Sequence, residues 1–514
     1  MAPKIVEDSR LLYAVLAPLI GAGLIMATGR RPNLREACSF VAAATLFGLT
    51  ASLIPAIRAG ETLHFTLFQL LAPGDHSTGL SFALRADALS MVFALTASFL
   101  WVVTVFYSAG YMRGLKEHAQ TRFGTCFALA LFGAIGCAFA DNLLTLYLFY
   151  EIVSVTTYPL VAHHQDEEGY EGGKKYLVYL TTAAKGLILP AMVLIYVLSG
   201  TLDFAHNAHV GILPANVHNG VIIVLYICCI LGFAKNGVMP LHNWLPSAMV
   251  APTPVSALLH AVAVVKVGVF STVRVMLYVF GVDLMGNLHL GLPTAYFVSI
   301  TILVGSVVAL SKDNLKARLA YSTVSQLSYV ILGVALLNPT GVSGGLFHIA
   351  AHAFAKITLF FCAGAIYVTT HKKDISEMGG LGRQMPWTFG AFALAALSMI
   401  GVPPVAGFTS KLYLLVGSLD AGSIGILLVL IASALLNAAY FAPVVYHAFF
   451  GQPAAADAAA HLKSEISDLK SASHAAAKEA PLAMLIPLCL TAAISVALGL
   501  YPDVFMQFAS AVLP

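Results

Sequence analysis

The sequence predicts an all-α membrane protein of about 14 transmembrane helices, built around two inverted five-helix repeats that each contain a broken helix. Three observations lead there. Of 514 residues, 59% are hydrophobic and only 10% are charged, and the mean hydropathy is +0.86; a soluble chain of this length needs far more charge to cover its surface. Apolar runs long enough to cross a hydrocarbon core of about 30 Å recur from end to end. Two of those runs are interrupted by Gly and Pro at matching places in the chain. Alternating segments of the kind a membrane β-barrel requires are missing. The net charge of +3 is small and scattered, which excludes a nucleic-acid partner. Cys38, Cys126, Cys137, Cys228, Cys229, Cys362 and Cys489 form no CxxC, so they read as small core residues and no disulfide framework, iron–sulfur cluster or zinc site is expected.

The spans fall at 11–28, 37–57, 85–108, 122–140, 142–162, 175–199, 218–249, 254–280, 291–310, 318–338, 343–370, 385–417, 422–449 and 481–508. The first is followed by "TGRRPNLRE" with no small-residue cleavage site, so it reads as a retained helix rather than a signal peptide. Charge supports this division. Loops after odd-numbered spans carry Arg30, Arg31 and Arg35; Arg113, Lys116 and Arg122; Lys174 and Lys175; Lys312, Lys316 and Arg318; Lys372, Lys373 and Arg383; and Lys463, Lys470 and Lys478. The short loops 200–217, 281–290, 339–343 and 418–422 after even-numbered spans hold no Lys or Arg. The expected setting is therefore a bacterial inner (plasma) membrane with both termini outside.

This organisation gives an N-terminal part, 1–121, with helices 1–3 and an external hairpin at 58–84, where apolar and polar residues alternate around a Gly/Asp/Pro turn. The first five-helix repeat is 122–280 and the second 291–449. An Ala-rich charged cytoplasmic loop at 450–480 precedes the last helix, 481–514. The interruptions read "LGFAKNGVMPLHNWLP" (231–246) and "SMIGVPPVAGFTSKLYLL" (398–415), each in the fourth span of its repeat. A break frees backbone carbonyls and amides that lipid cannot satisfy, so it must face protein or water. An odd number of spans per repeat inverts the second against the first.

Ionisable side chains gather in the same regions. Lys235 and Lys411 lie beside the breaks, and Glu151 lies in "LTLYLFYEIVSVTTYPLV". His260 and Lys266 lie in "SALLHAVAVVKVGVF"; His348, His352 and Lys356 are spaced four apart and share a helix face; Lys185 lies in "TTAAKGLILP". Each charge at the bilayer centre costs at least about 2.5–3.5 kcal/mol. Bland readings exist for each: Lys185 and Lys356 as snorkelling side chains, His260 and His348 as helix–helix hydrogen-bond partners, Glu151 as a static ion-pair member. The coincidence of breaks and titratable groups in both halves favours proton movement. Burial weakens a lysine's hold on its proton and an approaching carboxylate restores it. A swing of about three pKa units is ample for moving a proton against about 150 mV.

"GFAKNGVMPLHNWLP", "APTPVSALLHAVAVVKVGVF", "SKDNLKARLAYSTVSQLSY" and "HIAAHAFAKITLFF" resemble the motifs of the antiporter-like proton-translocating subunits of complex I (NADH-quinone oxidoreductase), Mrp cation/proton antiporters and membrane-bound hydrogenases. The resemblance runs over most of the chain and is strongest from 122 to 449. It implies proton translocation along a hydrated axis with two half-channels. Glu151 would be the fifth-helix glutamate and Lys235 the seventh-helix lysine. His260 and Lys266 would stand at the eighth-helix relay, and His348, His352 and Lys356 at the eleventh-helix connection. Lys411 would be the twelfth-helix terminal residue, which some members replace by glutamate. Asp313, Lys316 and Arg318 fall in a charged loop of the family with an expected structural role, while Lys185 is not matched to the family pattern and its role stays open. Lys411 and the end of the chain after the last span place it nearest the D-type Mrp subunit. The resemblance also implies other membrane subunits as partners, with protons, lipid and either Na⁺ or K⁺. No redox-cofactor motif is present, so no cofactor is expected and any redox reaction belongs to partner subunits. Competing functions are a stand-alone or two-component transporter for a cation or inorganic carbon, a mainly structural membrane subunit, and an enzyme using His163 or His164 in the loop "AHHQDEEGYEGGKK".

Overall fold

The computed structural model describes residues 4–74, 77–452 and 479–514, with the side chains of 259–261 left out. Helices dominate, as expected. Ten helices among the described residues are long and apolar enough to cross a membrane, and Asn219–Gly232 and Pro386–Ile400 are shorter apolar helices. In chain order they are α1 (Arg10–Ala27), α2 (Pro32–Ala51), α3 (Ile54–Arg58), α4 (Ala88–Gly114), α5 (Gln120–Ala138), α6 (Leu143–Val161), α7 (Glu167–Ala183), α8 (Leu189–Ser199), α9 (Asn219–Gly232), α10 (Trp244–Ser247), α11 (Thr253–Ala261), α12 (Val264–Val275), α13 (Val282–Asn287), α14 (Gly291–Leu310), α15 (Leu315–Ala335), α16 (Pro339–Thr370), α17 (Leu381–Gln384), α18 (Pro386–Ile400), α19 (Ala406–Asp420), α20 (Ile424–Phe450), α21 (Leu482–Leu500) and α22 (Asp503–Val512).

Short polar side chains start several of these helices. Asn142 accepts from the Thr145 amide at 2.8 Å, Asp166 from Gly169 at 2.7 Å, and Asn338 from Gly341 at 2.7 Å. Each satisfies an amide that has no partner within its own helix. At the centre runs α16, 32 residues long, packed against α4, α11, α15, α18, α19 and α21. Its apolar window is wholly covered by neighbours, so the His348–His352–Lys356 face meets protein.

The hairpin at 58–84 is present as β2 (Glu61–Leu71) and β3 (Leu80–Ala86), antiparallel, with residues 75–76 outside the described set. A strand the sequence did not announce, β1 (Lys4–Glu7), joins β2 in parallel; four residues are too few for a period to register. Three further differences concern helices. The span at 254–280 divides into α11 and α12 at Val262 and Ala263, a place with neither Gly nor Pro. The span at 175–199 widens into a π-turn at Ala184–Ile188 between α7 and α8. The last span stops at Leu500 and a separate α22 follows. Of the expected loop at 450–480, residues 453–478 lie outside the described residues.

One end of the bundle is clamped by charges that the sequence reading missed. Asp87 caps α4 through the Ser90 amide at 2.9 Å and pairs with both Arg85 and Arg274. Arg85 also reaches Asp141 at 3.5 Å, and His64 on β2 reaches the other Asp141 oxygen at 2.9 Å. Burial opposes ionisation of Asp141, but the His64 hydrogen bond and Arg85 outweigh it and hold its pKa below the usual carboxylate range. The same hydrogen bond raises the His64 pKa against the effect of burial. Arg85 and Arg274 sit close to span ends, where an arginine is unremarkable in a sequence because it can reach the interface. Both are instead buried, at 2% and 0% exposure.

Candidate functional site

Both predicted breaks exist. After α9 the chain turns through a 3₁₀ turn at Ala234–Asn236, and Gly237 takes φ +72°. Between α18 and α19 it turns through Gly401, at φ +95°. Met239–Pro240 and Pro403–Pro404 are cis peptides, one in each break. Protein side chains satisfy the freed backbone groups, which answers the requirement that lipid cannot. In the first break Trp244 Nε1 donates to the Ala234 carbonyl at 3.0 Å, Asn236 Nδ2 donates to the Ile230 carbonyl at 2.9 Å, and Thr301 Oγ1 accepts from the Met239 amide at 3.1 Å. Gly268 of α12 lies against this turn so closely that a Cβ there would stand 2.2 Å from the Asn236 amide nitrogen. In the second break a Cβ on Gly407 would stand 1.7 Å from the Ser398 carbonyl oxygen.

The break after α9 carries Lys235 into the interior. Its Nζ donates to the Tyr150 carbonyl at 2.9 Å and to Ser154 Oγ at 2.7 Å, and stands 3.1 Å from the centre of the Tyr150 ring. Both partners are on α6, flanking Glu151. Glu151 itself is half-buried and its Oε1 has no hydrogen-bond partner. It makes no ion pair among the described residues, so the lysine is held by the glutamate's helix and not by its carboxylate. Glu151 lines an apolar cavity of about 590 Å³ with Leu16, Phe82 and Phe149. Lys185, in the π-turn, is exposed.

Across the molecule, Lys266 Nζ on α12 lies 3.0 Å from His352 Nδ1. The His352 and His348 ring centres are 5.8 Å apart. His348 Nδ1 lies 2.9 Å from Ser410 Oγ on α19, and its ring stacks on Tyr329 at 5.3 Å. The next residue on α19 is Lys411, whose Nζ donates to the carbonyls of Met399 and Ile400, at 2.6 and 3.0 Å, in the second break. Lys235, Lys266, His348, His352, Lys356 and Lys411 are all buried, none more than 7% exposed. His260 lies on α11 and its side chain is outside the described residues.

Lys356 turns away from its histidine neighbours. Its Nζ donates to the Leu319 carbonyl at 2.9 Å and to Ser322 Oγ at 2.8 Å on α15. Tyr440 on α20 donates its hydroxyl proton to Asn437 Oδ1 and lies 3.1 Å from the same Ser322 Oγ, from which it accepts. Asn437 Nδ2 donates to the Met399 carbonyl at 3.2 Å, which also accepts from Lys411. A hydrogen-bonded chain therefore joins Lys356 to Lys411 through Ser322, Tyr440 and Asn437. The sequence reading did not find these links. Asn437 and Tyr440 are three apart in "LLNAAYF", a spacing that shares a helix face, and that was the available signal.

A helical bundle with two broken helices and buried lysines and histidines beside and between them defines a membrane protein with ionisable groups in its interior. The chain belongs to the family described as "NADH:quinone oxidoreductase/Mrp antiporter, TM", which matches residues 140–436. It is similar to NADH-quinone oxidoreductase subunit N of Desulforudis audaxviator, with 34% identity over 366 residues, covering 71% of this chain and 72% of that protein. It is also similar to NADH-quinone oxidoreductase subunit L of Mycobacterium tuberculosis, with 33% identity over 452 residues, covering 85% and 69%. In fold it resembles a chain in the structure of the Mrp complex from Dietzia sp. DQ12-45-1b, with a TM-score of 0.84 at 22% identity, covering 98% of this chain and 96% of that one.

Proposed function

We propose that this chain is a proton-translocating, antiporter-like subunit of a multisubunit membrane complex of Mrp or complex I type. Membership of the family and the subunit names of its relatives support the class. One observation carries the mechanism: a fully buried Lys235 is held in a helix break by Tyr150 and Ser154, next to Glu151, whose Oε1 has no hydrogen-bond partner among the described residues. A buried ammonium bound only to neutral oxygens keeps its proton weakly, and a carboxylate moving toward it strengthens that hold.

In this reading a proton passes from the Glu151–Lys235 pair to Lys266, then through His352 and His348 toward Lys411. Histidine, with an ordinary pKa near 6.5, suits the middle of such a route. The Ser322–Tyr440–Asn437 chain ends at the Met399 carbonyl, which accepts from both Asn437 and Lys411, so it positions Lys356 and Lys411 relative to one another and leaves proton transfer to the histidines. Exchange against Na⁺ or K⁺ and contact with lipid belong to the assembled complex, in a bacterial inner membrane with both termini outside. The test is Glu151→Gln and Lys235→Ala in the assembled complex, reconstituted in vesicles. Each is expected to lose most ion transport, with fully assembled subunits on a native gel. Normal transport in both variants defeats the proposal. Subunits that co-purify, a quinone-reducing arm or only small membrane proteins, identify the parent complex.

A further inference from the structure

Where the α4–α5 connection meets the end of α6, four side chains converge that the polar axis does not use. They are Glu117, His118, His163 and His164, at the opposite end of α6 from its Asn142 cap. Glu117 Oε2 lies 3.8 Å from His163 Nε2 and 3.9 Å from His118 Nδ1, and Glu117 Oε1 lies 3.8 Å from His164 Nε2. Among the described residues, every ion-pair partner of Glu117 is an imidazole. The three donor atoms of Glu117, His118 and His163 lie within 4.8 Å of one another. Ligands around one tetrahedral cation, each about 2.0–2.2 Å from it, stand a little over 3 Å apart. Closing onto a cation thus asks the widest pair to approach by about 1.4 Å, shared between two side chains.

His163 gives the second observation. It is fully buried, yet among the described residues neither ring nitrogen has a hydrogen-bond partner of ordinary geometry. A buried imidazole normally finds one. Its position is fixed from the other side, because Arg122 Nη2 donates to the His163 carbonyl at 2.7 Å. The backbone around the cluster is also held in an uncommon form: Lys116, Ala119 and Gln165 all have positive φ, at 53°, 47° and 59°. Such conformations persist in non-glycine residues where the surroundings over-determine them.

We propose that Glu117, His118 and His163 form a binding site for a borderline divalent transition cation of the Zn²⁺ class, with His164 as a further donor on the other carboxylate oxygen. Imidazole with one carboxylate selects this class over Mg²⁺ or Ca²⁺, which take oxygen ligands. Three protein ligands leave one position for water. The ion ties the α4–α5 connection to the α6–α7 connection, and thereby fixes the end of the helix that carries Tyr150, Glu151 and Ser154. Glu117 and His164 also line a cavity of about 430 Å³ shared with Glu168, Lys316 and Lys373, so the site is reachable from the aqueous side. The sequence reading expected no metal because it looked for closely spaced ligands, and His118 and His163 come from separate connections.

The test uses the full chain in detergent, purified with a tag that contains no histidine and stripped with a chelator. Titration with Co²⁺ is expected to produce visible absorption saturating at one equivalent, and Zn²⁺ is expected to abolish it. Because His163 is fully buried, the informative variants are His118→Ala and Glu117→Gln, whose side chains reach solvent. Each is expected to weaken binding at least about 10-fold. Zn²⁺ is also expected to slow hydrogen exchange at 115–119 and 162–166 in the wild type and not in the variants. The proposal fails if the wild type binds no Co²⁺ at micromolar concentration, or if both variants bind it as the wild type does.

Discussion

Lys356 shows how a side chain's surroundings decide its role. Sequence spacing puts it on one face with His348 and His352, yet its ammonium bonds to Leu319 and Ser322 instead. The hydroxyl of Tyr440 then becomes the link to the second break. Tyr440→Phe removes that link while keeping the ring, whose packing against Phe441 is at 4.7 Å. The hydroxyl makes two contacts, to Ser322 and Asn437, so its loss frees Asn437 and Lys411 to shift, and transport is expected to fall below the wild-type rate. Assembly should stay normal, since only one oxygen is lost. Transport at the wild-type rate, measured in vesicles, means that the Tyr440 link does not position Lys411 for transport. The double variant His348→Ala, Lys356→Ala removes a histidine of the route together with the lysine that anchors the chain, and is expected to abolish transport; if it still pumps, the α16 stripe is helix packing and no more.

Small residues at the breaks have a different kind of necessity. Gly268 touches the backbone of the Lys235 turn, and any Cβ there collides with atoms that cannot move away. Overpacking of this sort costs about 1–3 kcal/mol or more. Gly268→Val is expected to lower the thermal unfolding midpoint of the detergent-solubilised chain and displace Lys235 from Tyr150. An unchanged midpoint sinks that account.

At the scale of elements, the broken helices were legible and their supports were not. Gly, Pro and Lys inside an apolar run are local signals, so "LGFAKNGVMP" and "SMIGVPPVAG" announced their breaks. Tyr150, Ser154, Ser322 and Ser410 were invisible, because Ser and Tyr pass as ordinary residues of a membrane helix. The division of α11 from α12 at Val262–Ala263 carries no local breaker, so no sequence signal announced it. The expectation of a plain hairpin at 58–84 missed that its strand β2 delivers His64 to Asp141.

That pairing makes a prediction with a defined pH window. The raised pKa of His64 means its contribution to stability is complete below about pH 6.5, its ordinary value, and fades as pH rises through the raised one. The lowered pKa of Asp141 means its contribution is present above about pH 3.9 and fades as pH falls. Arg85, Asp203 and His206 complete the local field. The wild type is therefore expected to melt above His64→Gln at about pH 6, with the difference closing by about pH 9. Differential scanning of both proteins across that range decides it; a constant difference means the bond works equally well with a neutral imidazole.

At the scale of the whole molecule, charge and architecture place both chain ends on one face. The N-terminal strand β1 pairs with β2. A cavity of about 660 Å³ is lined by Gly60 and Glu61 from that region and by Ala511 and Pro514 from the other end of the chain. The Lys and Arg side chains of the other connections gather elsewhere: Lys316, Lys372 and Lys373 line one cavity together. In the proposed orientation, which follows the positive-inside rule, the lysine-lined face is cytoplasmic and the β-sheet face external. In oriented membranes holding the assembled complex, with the native cysteines replaced, Lys4→Cys and Asp503→Cys are expected to react with a membrane-impermeant thiol reagent added outside. Lys372→Cys is expected to react only after the inner face is opened. Labelling of Lys4→Cys and Asp503→Cys from opposite sides overturns the shared face. Labelling of both from the inside keeps it and reverses the orientation, which would also reverse the direction in which protons enter the Glu151–Lys235 half.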